Sequence, residues 1–405
     1  MIFTKTNTHD IISLSSNEKR DFMFTLYGDG IHDDYPAIQE LLDEGKSEVF
    51  LPEPQKNYTI SKTLKLHSNQ TLRLSPFTLI KLSDNANCAM AENYDFGTYS
   101  ENISIDGGIW DMNHSNQEPN PYHFPDKNGE TYYDKVKKIG YDKTTSKVFP
   151  AIYSGHCFRF CNIRRLVIKN IVIKNPVVYG VHLACIEDFD VSDIFFDYTE
   201  GSPKLWNMDG IHVEGYCKNG TIKNLKGACH DDLVALTCDD GLYGPIKNIT
   251  IDGIFAEHSH SAVRLLSHGI PLENIKISNV FGSYYVYCIA LTNYYVKEGE
   301  YGIMKNIIID NVAASKCEGT KDVKGDKYPF IWIERNINVD GFSLSNVERY
   351  EDFSANPLLK IDANVNVRRM RLSNIYQKSL LGEKIPLLKN DANSEILTEE
   401  NLINE

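Results

Sequence analysis

A short phrase of alternating apolar and polar residues returns along most of this chain. It reads NISIDGGI from 102, RLVIKNI from 165, DFDVSDI from 188, GTIKNL from 220 and NITIDGI from 248. It continues as NIKISNV from 274, NIIIDNV from 306, GFSLSNV from 341 and RMRLSNI from 369. Most gaps between phrases fall between 23 and 35 residues. A period of two predicts a strand with one buried face. An Asn, Asp or Gly follows the central apolar pair, and another apolar residue comes next. Those residue types tolerate left-handed backbone, so the phrase predicts a strand, a tight turn and a second short strand. Repetition at such a period means a solenoid, a propeller or an array. Amphipathic helices that would build βαβ units are missing between the phrases, and hairpin signals such as Asn-Gly are few. Each period holds too few strands for a propeller blade of about four. The pattern therefore predicts an all-β chain forming a single right-handed parallel β-helix.

A second set of strands runs out of phase with the first. It reads YGVHLACI (179–186), DGIHVEG (209–215), DDLVALTC (231–238), HSAVRLLS (260–267) and YCIALTN (287–293). Stacked coils lie about 4.8 Å apart, so equivalent residues of neighbouring coils become side-chain neighbours. The N-terminal part differs. FTLYGDGIHDDYPAIQELLDEG reads as a strand, a turn and an amphipathic helix from about 34 to 44, with Asp33 as its N-cap. A solenoid needs a polar cover over its open end, and this helix supplies one. Capping also accounts for the Asp33–Asp34 pair, which at first sight suggests catalysis. The chain thus divides into a cap and lead-in at 1–50, a β-helix over 51–380 and a C-terminal tail or cap at 381–405. Residues 113–150 are polar, rich in Tyr, Pro and Lys, and break the repeat. Such an insertion predicts a lateral loop that walls a groove.

Composition narrows the function. Of 405 residues 42% are apolar, with 23 Tyr and 18 Phe, enough for a long core of strands and stacked rings. The net charge of −13 and the lack of a basic run argue against nucleic acid. Nine Cys follow no disulfide or zinc spacing, and Cys157 and Cys161 are too far apart for a C-x-x-C site, so buried reduced thiols are expected. The N-terminus shows no leader pattern and no apolar run reaches 18 residues. These features point away from a membrane and towards the cytoplasm, or to secretion if a leader has been removed. A cytoplasmic enzyme would meet short imported oligosaccharides. Oligomeric state is not legible.

Candidate chemistry lies in the second set of strands. Asn207 and Asp209 open one strand, and Asp231 and Asp232 open the next, 22 residues after Asp209. Stacked in register, three carboxylates meet, and like charges that close cannot all ionise normally. Glycoside hydrolysis needs such a set: one acid to protonate the leaving oxygen and one carboxylate to activate water or attack the sugar. A solvated Asp-rich turn or a cation site is the plainer alternative.

Here the sequence resembles family 28 glycoside hydrolases, the polygalacturonase-like enzymes. The resemblance rests on N-M-D-G-I-H at 207–212, H-D-D-L-V-A-L at 230–236 and S-H-S at 259–261. The family's forms are N-T-D-G-I, G-D-D-C-V/I-A and G-H-G on adjacent coils. G-D-G-x-x-D-D-x-x-A-I-Q at 28–39 also looks like the opening of the pectin-lyase-like superfamily. The resemblance spans roughly 25–300 and implies Asp231 as general acid, Asp209 and Asp232 as holders of the attacking water, and His260 as a partner that tunes the acid. It implies inversion by direct displacement, with no metal and no cofactor. Met208 stands where the family has Thr, and Ser259 and Ser261 replace two glycines. Where the family's R-I-K grips galacturonate, near 286–292, this chain has V-Y-C-I-A-L-T. Arg264, one coil earlier, is the available substitute. Losing both cations shifts the expected ligand to a neutral or differently charged sugar.

Other residues read two ways. His182, His212 and Arg264 alternate with core positions and face outward, as sugar-binding groove residues or as satisfied surface groups. Trp206 offers a face for sugar stacking or simply packs in a loop. His230 bonds the acid or caps the turn, and Asp239–Asp240 make a turn before Gly241. The leading expectation is an inverting glycoside hydrolase. The alternatives are a non-catalytic, tailspike-like carbohydrate-binding β-helix and a polysaccharide lyase, which would need a cation cluster that this column lacks.

Overall fold

The computed structural model describes residues 24–199, 204–294, 299–323, 326–392, 394 and 396–405. The first 23 positions of the expected cap, with the expected leaderless N-terminus, lie outside them. Strands dominate, in a single stacked sheet system of 22 strands with parallel ladders. The fold is a right-handed parallel β-helix with a small N-terminal helix.

The repeated phrase forms one continuous ladder. Gln70, Ile103, Leu166, Phe189, Gly220, Ile249, Ile275, Ile307, Phe342 and Met370 stand in register on successive coils. Their apolar side chains, with those two residues on, fill the interior. Gly220 interrupts the column for a reason: a Cβ there would lie 2.1 Å from Cζ of Phe189, whose ring occupies that space.

Two left-handed corners bracket each phrase. Asn219, Asn248, Asn274 and Asn306 open it with φ between 53° and 59°, and Asn279, Asn311, Asn346 and Asn374 turn it with φ between 52° and 59°. Several of these amides bond one another up the stack, Asn248 to Asn219 at 2.9 Å, Asn274 to Asn248 at 2.9 Å and Asn311 to Asn279 at 2.6 Å, while Asn279 and Asn346 donate to Asp252 and Asp310. The alternation thus codes for strands, and Asn codes for corners. Replacing Asn279 with Ala forfeits left-handed tolerance and two ladder bonds, so it should cost about 2 kcal/mol. Asn279→Gly keeps the corner and should cost less. Urea midpoints of the two variants check this order, and equal midpoints would contradict it.

The helix covers Tyr35–Asp43, so the capping position falls to Asp34 rather than to the expected Asp33. The side chains divide differently: Asp33 still takes the first helical amide, and Asp34, at the capping position, makes no side-chain cap bond. Asp34 turns inward and accepts from the amides of Tyr27, Gly28 and Thr59 at 2.6, 3.1 and 3.1 Å. Asp33 accepts from the Tyr35 and Ser61 amides at 3.0 and 3.1 Å. Amides of the turn and first coil need acceptors, and the Asp pair ties the two together. At the other end Leu388–Asn390 and Ile396–Asn404 pair onto the preceding coil. All nine Cys are free thiols, six of them buried. No helix among the described residues is long and apolar enough to cross a membrane.

Candidate active site

The second set of strands stacks as the alternation requires. Val181, Ile211, Val234, Val263 and Ile289 share one register and face the core. Residues one position on, His182, His212, Ala235, Arg264 and Ala290, share the next register and face outward. Asp209 lies two residues before Ile211 and Asp232 two before Val234, so the two carboxylates sit side by side on neighbouring coils. Asp232 in turn pairs with Ser261, and Ser261 with Tyr287.

Two hydroxyl donors and one cation serve Asp232. Ser261 and Tyr287 hydroxyls donate to its Oδ1 at 2.7 and 2.9 Å, and Arg264 Nε lies 2.7 Å from its Oδ2. The carboxylate is fully buried, which makes the guanidinium beside it indispensable. Asp231 differs: its side chain is 23% exposed and His260 Nδ1 lies 3.8 Å from its Oδ1. Burial pushes its pKa up, the Asp232 charge adds to this, and His260 and Arg264 oppose it. Asp209 is pushed up more strongly, first by burial and then by the charges of Asp231 and Asp232. Its Oδ2 meets His212 Nδ1 at 2.7 Å. One oxygen each of Asp231 and Asp232 and a ring nitrogen of His260 lie within 4.8 Å of one another. The three expected catalytic residues and His260 therefore converge.

The remaining expected site residues have other partners. His182 and His212 do face outward, but they are 4% and 0% exposed, because Phe149 of the segment after the insertion start stacks on His182 at 4.2 Å and Tyr179 stacks on His212 at 4.1 Å. Neither offers a ring to the groove. Burial lowers the pKa of His182 well below its ordinary value and that of His212 to about 4. Asn207 does not reach for a ligand: its Oδ1 accepts from Asn120 Nδ2 at 3.2 Å and meets His123 Nε2 at 2.6 Å. It anchors the insertion. Trp206 is 38% exposed, with His123 against its edge and Phe124 stacked at 6.1 Å. His230 bonds neither acid. Its Nε2 meets the Tyr198 carbonyl at 3.0 Å, which is the turn-fixing role. Asp239 does more than turn the chain, since it is buried, accepts from the His268 amide at 2.7 Å and faces His268 Nδ1 at 3.0 Å. Burial brings its pKa up to about 7.

The insertion walls one side of this column. It carries a short helix, Tyr132–Lys138, with a Thr131 capping box. Tyr122 OH reaches His156 Nε2 at 3.2 Å, and Lys143 Nζ reaches the Asp240 carbonyl at 3.0 Å. Sequence reasoning missed Glu214, Tyr287, Ser261 as an Asp232 donor, and His156. Glu214 was findable, because it lies two residues beyond His212 on the same outward face. Tyr287 stands where a family cation was sought, and only the register shows that its hydroxyl serves Asp232.

No family model matches the chain, and no curated protein matches it. Solved structures do. An exopolygalacturonase from Thermotoga maritima aligns over 91% of this chain and 89% of its own at 16% identity, with a TM-score of 0.57. An endo-xylogalacturonan hydrolase from Aspergillus tubingensis aligns over 93% and 95% at 17% identity, with a TM-score of 0.55. A surface adhesin of Streptococcus pneumoniae aligns over 93% and 91% at 17% identity, with a TM-score of 0.51. Identities this low show a shared β-helix fold, one that serves both hydrolases and an adhesin.

Proposed function

We propose that this protein is a glycoside hydrolase that cleaves an oligo- or polysaccharide across the coils bearing Asp209, Asp231 and Asp232. The observation that carries the reading is the division of labour within the trio. Asp231 alone is partly exposed, at 23% of its side chain, and burial holds its proton above the usual carboxylate range. That suits a general acid, which must keep a proton until the glycosidic oxygen takes it. Asp232 and Asp209 lie beneath, at 0% and 2% side-chain exposure. Two hydroxyl donors on Oδ1 of Asp232 and the Arg264 charge beside its Oδ2 suit an anion, and a water held between it and Asp209 would attack the anomeric carbon from the opposite face. Inversion of configuration follows from that single displacement. The exposed Trp206 gives a stacking face for a sugar ring.

A uronate finds little here. The carboxylate clamp would have to come from Arg264, and Arg264 is already committed to Asp232 at 2.7 Å. The commitment of Arg264 to Asp232 also weighs against β-elimination, which must neutralise that carboxylate. A neutral sugar, or one charged elsewhere, is the preferred ligand class.

A reducing-end assay over pectic, neutral and host-type oligosaccharides tests this. Cleavage is expected in the neutral set, with the first product seen by proton NMR carrying the opposite anomeric configuration. Retained configuration would refute direct displacement. Binding without cleavage of any member would favour a carbohydrate-binding β-helix without catalysis.

A further inference from the structure

Behind Asp209 a second set of donor atoms converges, and hydrolysis leaves it unused. His182 and His212 pair in register on neighbouring coils, and Glu214 stands two residues beyond His212. Glu214 Oε1 lies 2.9 Å from His182 Nε2 and 3.9 Å from His212 Nε2. All three side chains are buried, at 6%, 0% and 6% exposure. The far nitrogen of each ring is held. His212 Nδ1 meets Asp209 Oδ2 at 2.7 Å, and His182 Nδ1 meets His156 Nδ1 at 2.8 Å.

These contacts constrain the near nitrogens. With Asp209 ionised beside it, His212 Nδ1 takes the proton and Nε2 is left as a lone pair. On the other ring, His156 Nε2 faces Tyr122 OH at 3.2 Å, and its Nδ1 faces both Ser154 Oγ at 3.2 Å and His182 Nδ1 at 2.8 Å; with the shared proton on His182 Nδ1, His182 Nε2 is left as a lone pair. Both Nε2 atoms thus aim lone pairs at a carboxylate, three acceptors on one point. Hydrogen bonding leaves two of these groups unsatisfied: His182 Nε2 and Glu214 Oε2 have no hydrogen-bond partner among the described residues, while His212 Nε2 meets Thr237 Oγ1. The space for Glu214 is kept by Gly241, where a Cβ would fall 1.9 Å from Glu214 Oε1.

We propose that His182 Nε2, His212 Nε2 and Glu214 hold a divalent transition-metal ion of the zinc class. Two imidazoles and one carboxylate are a zinc donor set, and tetrahedral zinc places its ligand atoms about 3.3 Å apart. The separations of 2.9 and 3.9 Å bracket that value. Thr237 Oγ1, 3.1 Å from His212 Nε2, lies where a fourth ligand or a water would complete the shell. Asp209 is then the outer carboxylate that orients a ligating histidine. The other acidic cluster, Asp231, Asp232 and His260, is a poor rival, because Arg264 already sits on Asp232. The site is independent of the hydrolase reading: metal content does not depend on whether any sugar is cut.

The test is elemental analysis of the whole protein expressed in zinc-supplemented medium and dialysed against metal-free buffer. About one zinc per chain is expected, with Asp231→Asn equal to the parent and Glu214→Gln below about a tenth of it. Cobalt-loaded parent protein should show the visible bands of a four-coordinate ion, a readout that does not depend on any variant folding. Less than about 0.1 zinc per chain in the parent, with no cobalt bands after refolding in cobalt, would mean that a proton on Glu214 does the work instead. Zinc retained in a folded Glu214→Gln would place the metal elsewhere. Either result overturns the proposal.

Discussion

Asp231→Asn is expected to lower kcat by about three orders of magnitude while leaving the protein as stable as before or more so. The amide keeps the size of the carboxyl but has no proton to give the leaving oxygen. The stability half follows from the direction of the pKa shift. Asp231 is raised in the folded chain, chiefly by burial. A raised carboxyl contributes stability below its unfolded pKa, near 4, and loses it as pH rises through the folded value. At neutral pH, above the unfolded value, the raised Asp231 is therefore a cost of the fold whichever form it takes, and Asn removes it. The Tm advantage of the variant should shrink as pH falls towards about 4. In the parent enzyme the alkaline limb of kcat should have its midpoint above the ordinary carboxylate range, because activity needs the protonated acid. Kinetics and thermal melts across pH check both halves. Substantial activity in the variant, or a large loss of stability at neutral pH, would mean that Asp231 is a structural turn residue.

The fold was legible because two independent codes agree. Alternation marked the strands, and an Asn at each corner marked where the chain turns left-handed, as at Asn279, Asn311, Asn346 and Asn374. Each code repeats with every coil, so a single exception such as Gly220 does not hide it. The convergence of Asp209, Asp231 and Asp232 was legible for the same reason, since coil period converts sequence distance into contact. What the period does not encode is what lies over the column. The insertion at 113–150 has no repeat, so its burial of His182 and its grip on Asn207 could not be read from spacing. Those two residues look like groove residues in the sequence and are covered in the structure. The Asp33–Asp34 pair was legible in part. Helix capping is a local rule and accounts for the Asp33 bond to Tyr35, but amides from the first coil, distant in sequence, also bond both carboxylates.

Arg264→Met is expected to destabilise the protein by about 3–5 kcal/mol, the usual cost of leaving a buried charge without its partner. Asp232 has no exposure, and its Oδ2 faces only the guanidinium among the polar contacts found for it, while Ser261 and Tyr287 serve Oδ1. Those two hydroxyls cannot replace a cation. Most of the loss should return in Arg264→Met combined with Asp232→Asn, because the penalty belongs to the stranded anion rather than to the missing arginine packing. Denaturant midpoints of parent, single and double variants measure this directly. A single-variant loss under about 1 kcal/mol would show that the pair is screened like a surface salt bridge. Arg264 would then be a cation the site can spare, and a sugar carboxylate would again be a plausible ligand. A large loss, recovered in the double variant, would fix Arg264 as the counter-charge of the catalytic centre and leave recognition to neutral groups around Trp206.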